Sequence, residues 1–153
     1  MNMFKTEKEL VFALISTLEN KELEIENVKE FLILEEIDGI MGRPDVLLKQ
    51  KNGKEIITIE VKLKNWKRAL QQAYKYRSFS DIAFICMDEK YLKPALANID
   101  LFKKSNIGLI SINLNRDVKI HYEPILKKAY VKELKEKANK KFVEQFGWEK
   151  EIN

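Results

Sequence analysis

The stretch from Gly42 to Trp66, GRPDVLLKQKNGKEIITIEVKLKNW, decides the fold. It contains two runs rich in Val, Leu and Ile, and Asn52-Gly53 lies between them. Asn-Gly between two such runs is a strong signal for a β-hairpin with a two-residue type I′ turn. We therefore predict two antiparallel strands, at residues 45–50 and 55–63.

The register that this turn sets brings charged side chains together. If Lys51 faces Lys54 across the turn, then Asp45 lies opposite Glu60, and strand alternation puts Lys62 on the same face as Glu60. The other face is apolar and is predicted to be core: Val46, Leu48, Ile57, Ile59, Val61 and Leu63.

Folding alone does not favour an opposed pair of carboxylates. Like charges directly opposite destabilise a sheet, and Asp and Glu are poor strand formers. A divalent cation would relieve the repulsion between Asp45 and Glu60, because carboxylate oxygens are the ligands that Mg²⁺ and Mn²⁺ prefer. The alternative is an ordinary set of surface salt bridges at exposed strand ends.

These residues resemble a known family. Pro44-Asp45, followed after the hairpin by Glu60-Val61-Lys62, is similar to the signature of the PD-(D/E)XK nuclease superfamily. The resemblance implies a restriction-endonuclease-like α/β core of order αβββαβ. It also implies that Asp45 and Glu60 bind Mg²⁺ or Mn²⁺, that the carbonyl of Val61 helps, and that Lys62 assists the attacking water.

The rest of the chain supplies the elements of such a core. Hydrophobic periodicity and turn signals predict a mixed central sheet flanked by helices, in the order αβββαβαββα. The predicted helices are 6–19, 65–79 and 91–104, with a further C-terminal helix from 125 to about 147. The remaining predicted strands are 31–37, 82–87, 109–113 and 118–122.

Two helices are predicted to add site residues. The family often takes an acid from its first helix, and Glu7 continues the apolar stripe that faces the sheet, whereas Glu9 fits a capping box with Thr6. Glu7 is therefore the predicted outer metal ligand, although an acid at a helix N-terminus is also favoured by the helix dipole. In the second helix, Gln72 matches a family pattern and is a candidate catalytic residue, with an ordinary amphipathic helix as the alternative.

Basic residues around the hairpin are candidates for DNA contacts. Arg43 could bind a phosphate as a planar fork, or it could neutralise Glu36 or Asp38. Three more follow the motif and could contact backbone phosphates: Lys64, Lys67 and Arg68.

Composition narrows the class of protein. The 153 residues suggest one domain, and the net charge of +4 permits a polyanionic partner. A single cysteine and a single histidine nearly exclude disulfides, His-based triads and His/Cys zinc sites. With no signal-peptide pattern and no apolar run of about 20 residues, we expect a soluble, cytoplasmic protein without membrane contact.

We divide the chain into a nuclease-like domain at 1–124 and a basic amphipathic segment at 125–153. That segment is expected to pack on the same chain, with a dimer or DNA contact as the alternative. The resulting hypothesis is a Mg²⁺-dependent DNA endonuclease of structure-selective or weakly sequence-specific type. A homodimer would be needed to cut two strands symmetrically. The alternatives are a catalytically inactive nucleic-acid-binding or regulatory module and a protein-interaction domain.

Overall fold

A computed structural model describes residues 3–147 of the chain. It has the predicted mixed α/β architecture, with a six-stranded sheet flanked by helices. The elements are α1 (Glu7–Glu19), β1 (Phe31–Glu35), β2 (Val46–Gln50), β3 (Ile56–Lys62), α2 (Trp66–Tyr76), β4 (Ile82–Asp88), a 3₁₀ turn (Glu89–Tyr91), α3 (Lys93–Ala97), α4 (Ile99–Ser105), β5 (Gly108–Ile112), β6 (Val118–Tyr122) and α5 (Lys132–Phe146).

The sheet is mixed, and its spatial order follows the chain from β1 to β6. The first three strands form an antiparallel meander. β3, β4 and β5 are then parallel, because α2 connects the first pair and α3 with α4 connects the second. β6 returns antiparallel to β5. The carboxyl end of β3 therefore lies beside the amino end of β2, which is where the predicted acids fall.

The predicted register of the β2–β3 hairpin is confirmed, but the predicted turn is wrong. Val46 pairs with Ile59, as expected. The turn runs from Gln50 to Gly53, whose N–H donates to the Gln50 carbonyl at 3.3 Å. Neither Asn52 nor Gly53 has the positive φ that a type I′ turn requires. The connection is longer than predicted, because the last pair of the ladder is Lys49 with Ile56, but the facing pairs of the predicted register are unchanged.

Helices cover both faces of the sheet. On one face α1 buries its apolar stripe, including Leu10 and Leu14, against the predicted core face of β2 and β3. On the other face α2 and α4 pack over β4 and β5. Beside them α5 packs over β1 and β2 through Ala138 and Phe142. Since both faces are buried, the charged residues at the strand ends are reached from the edge of the sheet.

Local signals set the starts of the helices. Thr6 caps α1 by accepting from the Glu9 N–H at 3.1 Å, while the Glu9 carboxylate accepts from the Lys5 N–H at 2.8 Å. Asn65 caps α2 by accepting from the Arg68 N–H. The capping box at Thr6 was predicted, and both caps fix the approach of a helix to the site edge.

Three predicted helices differ in extent. α2 ends at Tyr76 rather than near residue 79, and the predicted 91–104 helix is divided into α3 and α4 at Asn98. The C-terminal helix begins at Lys132, not at 125, because the N–H groups of Lys127, Tyr130 and Val131 donate to carbonyls of the loop before β4. Backbone groups engaged in this way cannot form helical hydrogen bonds.

The described part of the C-terminal segment packs on the same chain, as its simpler interpretation predicted. Its last six residues, 148–153, lie outside the described residues. No helix within residues 3–147 is long and apolar enough to cross a membrane.

Candidate active site at the carboxyl end of β3

Asp45 and Glu60 lie side by side at the edge of the sheet. Asp45 directly precedes β2, and its Oδ2 accepts from the Val61 N–H of β3 at 2.8 Å. Glu60 is only 4% exposed. The two carboxyl groups are close enough to hydrogen-bond through a shared proton. The predicted juxtaposition of these two acids is therefore present, and the backbone of β3 fixes the orientation of Asp45.

One oxygen of this pair lacks a hydrogen-bond donor in the described part of the chain. Oε1 of Glu60 is buried, and it has no hydrogen-bond partner among the residues that the structure describes. A buried acceptor without a partner costs about 1–3 kcal/mol, and more when it is charged. The site thus holds an unsatisfied oxygen beside a second carboxylate, which is the donor chemistry of a hard cation.

Burial makes both acids reluctant to ionise. Burial, and then the charge of Asp45, raises the pKa of Glu60 to about 8, although Lys62 acts in the opposite direction. Burial also raises the pKa of Asp45, against the hydrogen bond from Val61. In the metal-free protein at neutral pH the pair therefore retains a proton, and that proton is the simplest neutraliser of two opposed carboxylates.

Lys62 and Glu7 complete the site from two elements. The Lys62 ammonium is mostly buried at the end of β3, and its Nζ lies 4.0 Å from Oε1 of Glu7 on α1. Glu7 is close enough to raise the pKa of both Asp45 and Glu60. The predicted choice of Glu7 over Glu9 is consistent with this geometry, since Glu9 is used in the cap of α1.

Metal-ligand geometry is not preformed around all three acids. Within residues 3–147 no group of three or more His, Cys, Asp or Glu side chains is arranged to hold a metal ion. Glu7 is half-exposed and its contact is with Lys62. The candidate ligand set is therefore the Asp45–Glu60 pair, and Glu7 remains a predicted outer ligand.

Gln72 lies on α2, the helix that follows β3. Its Oε1 is buried, and within residues 3–147 it has no hydrogen-bond partner. It lines a cavity of about 350 Å³ together with Arg43, Lys75 and Tyr76. Two alanines of α2, Ala69 and Ala73, are fully buried, so α2 packs closely on the sheet.

Tyr76 of α2 also belongs to the site. Burial, and then the charges of Glu60 and Asp45, raises the pKa of the Tyr76 hydroxyl above its usual range, while a backbone hydrogen bond joins it to Arg43. The neighbouring Gly42 has a φ of +64°, and a Cβ there would lie 3.3 Å from the Tyr76 ring. The glycine in the motif was therefore the available signal for this contact.

The predicted DNA-binding residues make contacts of other kinds in the structure. Arg43 makes ion pairs of 3.6 Å with Glu36 and with Asp38, which was the alternative interpretation of its role. Lys64 lies over the Tyr91 ring and Lys67 over the Trp66 ring. All three side chains are exposed, Lys64 just before the N-cap of α2 and Lys67 and Arg68 on its first turn. Phosphate contacts by all four remain predictions.

Two solved structures match about three quarters of this chain. SPO1766, a protein of unknown function from Silicibacter pomeroyi, is 20% identical, covers 75% of this chain and 73% of its own, and has a TM-score of 0.56. SfsA of Pyrococcus furiosus, solved in complex with Ca²⁺, is 12% identical, with 76% and 64% covered and a TM-score of 0.45. No family model and no curated protein matches the chain. At 20% identity the first likeness shows the fold alone.

Proposed function

We propose that this chain is a divalent-metal-dependent endonuclease of the PD-(D/E)XK type that hydrolyses phosphodiester bonds in DNA. The observation that carries the proposal is the buried Oε1 of Glu60, which lacks a hydrogen-bond partner in the described chain and lies beside Asp45. A sheet that only needed to fold would not favour this pair. A phosphodiesterase has a use for it.

The residues present fit Mg²⁺ or Mn²⁺. Asp45 and Glu60 offer carboxylate oxygens, and the Val61 N–H already holds Asp45 in place. The Val61 carbonyl is the third proposed donor, and Glu7 the outer one. A bound cation would act as a Lewis acid on the phosphate and lower the pKa of a water molecule.

The side chains divide the remaining work. Lys62, mostly buried and 4.0 Å from Glu7, is placed to orient the attacking water and to stabilise negative charge that develops on the phosphate. Glu60, whose pKa is raised to about 8, would have to lose its proton to hold a cation. Arg43 would have to exchange Glu36 and Asp38 for a phosphate.

The test is a cleavage assay on supercoiled plasmid and on branched DNA, with Mg²⁺, with Mn²⁺ and with EDTA. We expect metal-dependent nicking that EDTA stops and that Asp45→Ala reduces at least about a hundred-fold, in the range for loss of a main electrostatic contribution. Glu35→Gln, which changes an exposed acid of the same cleft, is the matched control and should retain activity.

Two other outcomes would replace the proposal. Salt-sensitive DNA binding without cleavage under any of these metal conditions would favour a nucleic-acid-binding module that kept the fold. Cleavage that is unchanged in Asp45→Ala would indicate a contaminating nuclease.

A further inference from the structure

The outer face of α1 carries an aromatic side chain that the core does not use. Phe12 is 67% exposed, the highest value among the large apolar residues of the described chain. The guanidinium of Arg116, from the β5–β6 turn, lies over its ring at 5.5 Å. An exposed ring with a cation on it is a platform for another flat group.

The two sides of α1 differ in charge. Between α1 and Asp45 lies a cleft of about 570 Å³, in which the described lining includes five acids and one lysine, Lys8. On the other side of α1 a cavity of about 550 Å³ is lined by Lys8, Arg116 and a single described acid, Glu9. Without a bound cation, a polyanionic backbone is repelled from the first side, and it is accommodated on the second.

Arg116 is held in place by a strained turn. Its φ is +67°, a conformation that Asn or Gly adopts more readily than Arg. The Asn113 side chain fixes the turn by accepting from the N–H groups of Asn115 and Asp117, at 2.9 and 3.0 Å. Folding would prefer glycine at position 116, so an arginine there suggests a function for the side chain.

We propose that Phe12 and Arg116 form a stacking site for an unpaired nucleobase of the DNA substrate. This rests on the proposed function, because it extends that site to one class of substrate, DNA with a single-stranded segment next to the cut. Phe12 is five residues along α1 from Glu7, or about 7.5 Å of helix rise. Lys8 and Phe12 line both the cleft beside Asp45 and the cavity beside Arg116, so the stacking site is continuous with the candidate active site.

The first experiment measures binding without cleavage. Fluorescence polarisation in EDTA compares a splayed-arm DNA with a fully paired duplex of the same length. We expect Phe12→Ala to weaken splayed-arm binding about ten-fold and duplex binding less than two-fold, because stacking acts only on unpaired bases. Phe12→Trp should retain the preference, and Ile125→Ala, which removes an equally exposed apolar side chain elsewhere, should leave both affinities unchanged.

The second experiment separates binding from folding. Arg116→Gly removes the cation but relieves the positive φ, so its thermal midpoint should equal or exceed that of the wild type. Its splayed-arm affinity should fall, and the salt dependence of binding should lose about one counterion.

The result that overturns the inference is equal loss on both DNAs, no loss in Phe12→Ala, or no splayed-arm preference in the wild type; any of these would leave Phe12 as a contact for another protein. Selective binding lost in Phe12→Ala supports the inference even if no metal condition yields cleavage. That last combination would contradict the proposed nuclease activity but not the stacking site.

Discussion

At the scale of residues, the site depends on how Asp45 and Glu60 share charge. The Val61 N–H holds one oxygen of Asp45, whereas Oε1 of Glu60 has no partner in the described chain. Two carboxylates in this position cannot both ionise at low free-energy cost, so the pair retains one proton at neutral pH. The pKa of Glu60, about 8, measures how strongly the metal-free site resists ionisation.

Glu60→Gln should therefore stabilise the metal-free protein at alkaline pH. The pKa of Glu60 is higher in the folded chain than the ordinary 4.5, so the folded state binds more protons and wild-type stability falls as the pH rises from about 4.5 through about 8. Glutamine keeps the shape without the charge. We expect Glu60→Gln to be more stable at pH 9 by on the order of 2–4 kcal/mol, in urea unfolding with EDTA.

The same experiment contains its own control. Near pH 4.5 Glu60 is protonated in the folded protein, so wild type and Glu60→Gln should unfold at similar urea concentrations there. Parallel stability curves for the two proteins from pH 5 to 9 would show that Glu60 ionises normally, and the unsatisfied oxygen would lose its significance.

Sequence reasoning found the acids and the lysine but not their surroundings. Asp45, Glu60 and Lys62 follow from strand alternation and hairpin register, both of which are local. Tyr76 could not be placed in the same way, because its contact with the loop before β2 depends on how α2 packs across the sheet. The pairing of Arg43 with Glu36 and Asp38 likewise depends on the path of that loop.

At the scale of elements, the register of the β2–β3 hairpin was predicted correctly although the turn type was predicted wrongly. The apolar residues of the two strands face α1 only in registers with the right alternation, because a slip by one residue would move them to the opposite face. Burial of Val46 and Ile59 therefore selects the pairing, and the turn adapts to it. The site position is set by the core rather than by Asn52-Gly53.

One buried acid helps to hold the C-terminal segment against the sheet. Asp81, 2% exposed, accepts from the N–H groups of Ile56 and Ala129 and pairs with Lys135 of α5 at 2.8 Å. These contacts use backbone groups near residue 129 and explain why the predicted helix from 125 starts late. Sequence patterns along one helix do not reveal such long-range partners.

Asp81→Asn should therefore destabilise the whole protein. The amide offers one acceptor oxygen where the carboxylate offers two, and Lys135 loses its charged partner. We expect a loss of about 2–4 kcal/mol in urea unfolding. Asp100→Asn, an exposed acid in the first turn of α4, is the matched control and should change stability by less than about 0.5 kcal/mol. A change in Asp81→Asn as small as the control's would mean that α5 is held by its apolar face alone.

At the scale of the whole molecule, the sheet brings distant segments to one edge. The order of elements was predictable from periodicity, since each segment carries its own pattern. Two contacts of α1 could not be predicted in this way, because they depend on packing across the sheet. They join α1 to β3 through Glu7 and Lys62, and to the β5–β6 turn through Phe12 and Arg116. The proposed substrate surface is formed by the residues at these two contacts.

Metal binding most directly tests the proposal that Asp45 and Glu60 hold a divalent cation. We would titrate the protein with Mn²⁺ and follow the free-ion signal by electron paramagnetic resonance at pH 6.5 and 8.5. We expect one bound ion, bound more tightly at pH 8.5 because Glu60 must lose its proton. Its affinity should fall at least about ten-fold in Asp45→Ala and stay unchanged in Glu35→Gln. An absence of binding in the wild type, or equal binding by Asp45→Ala, would contradict the proposal.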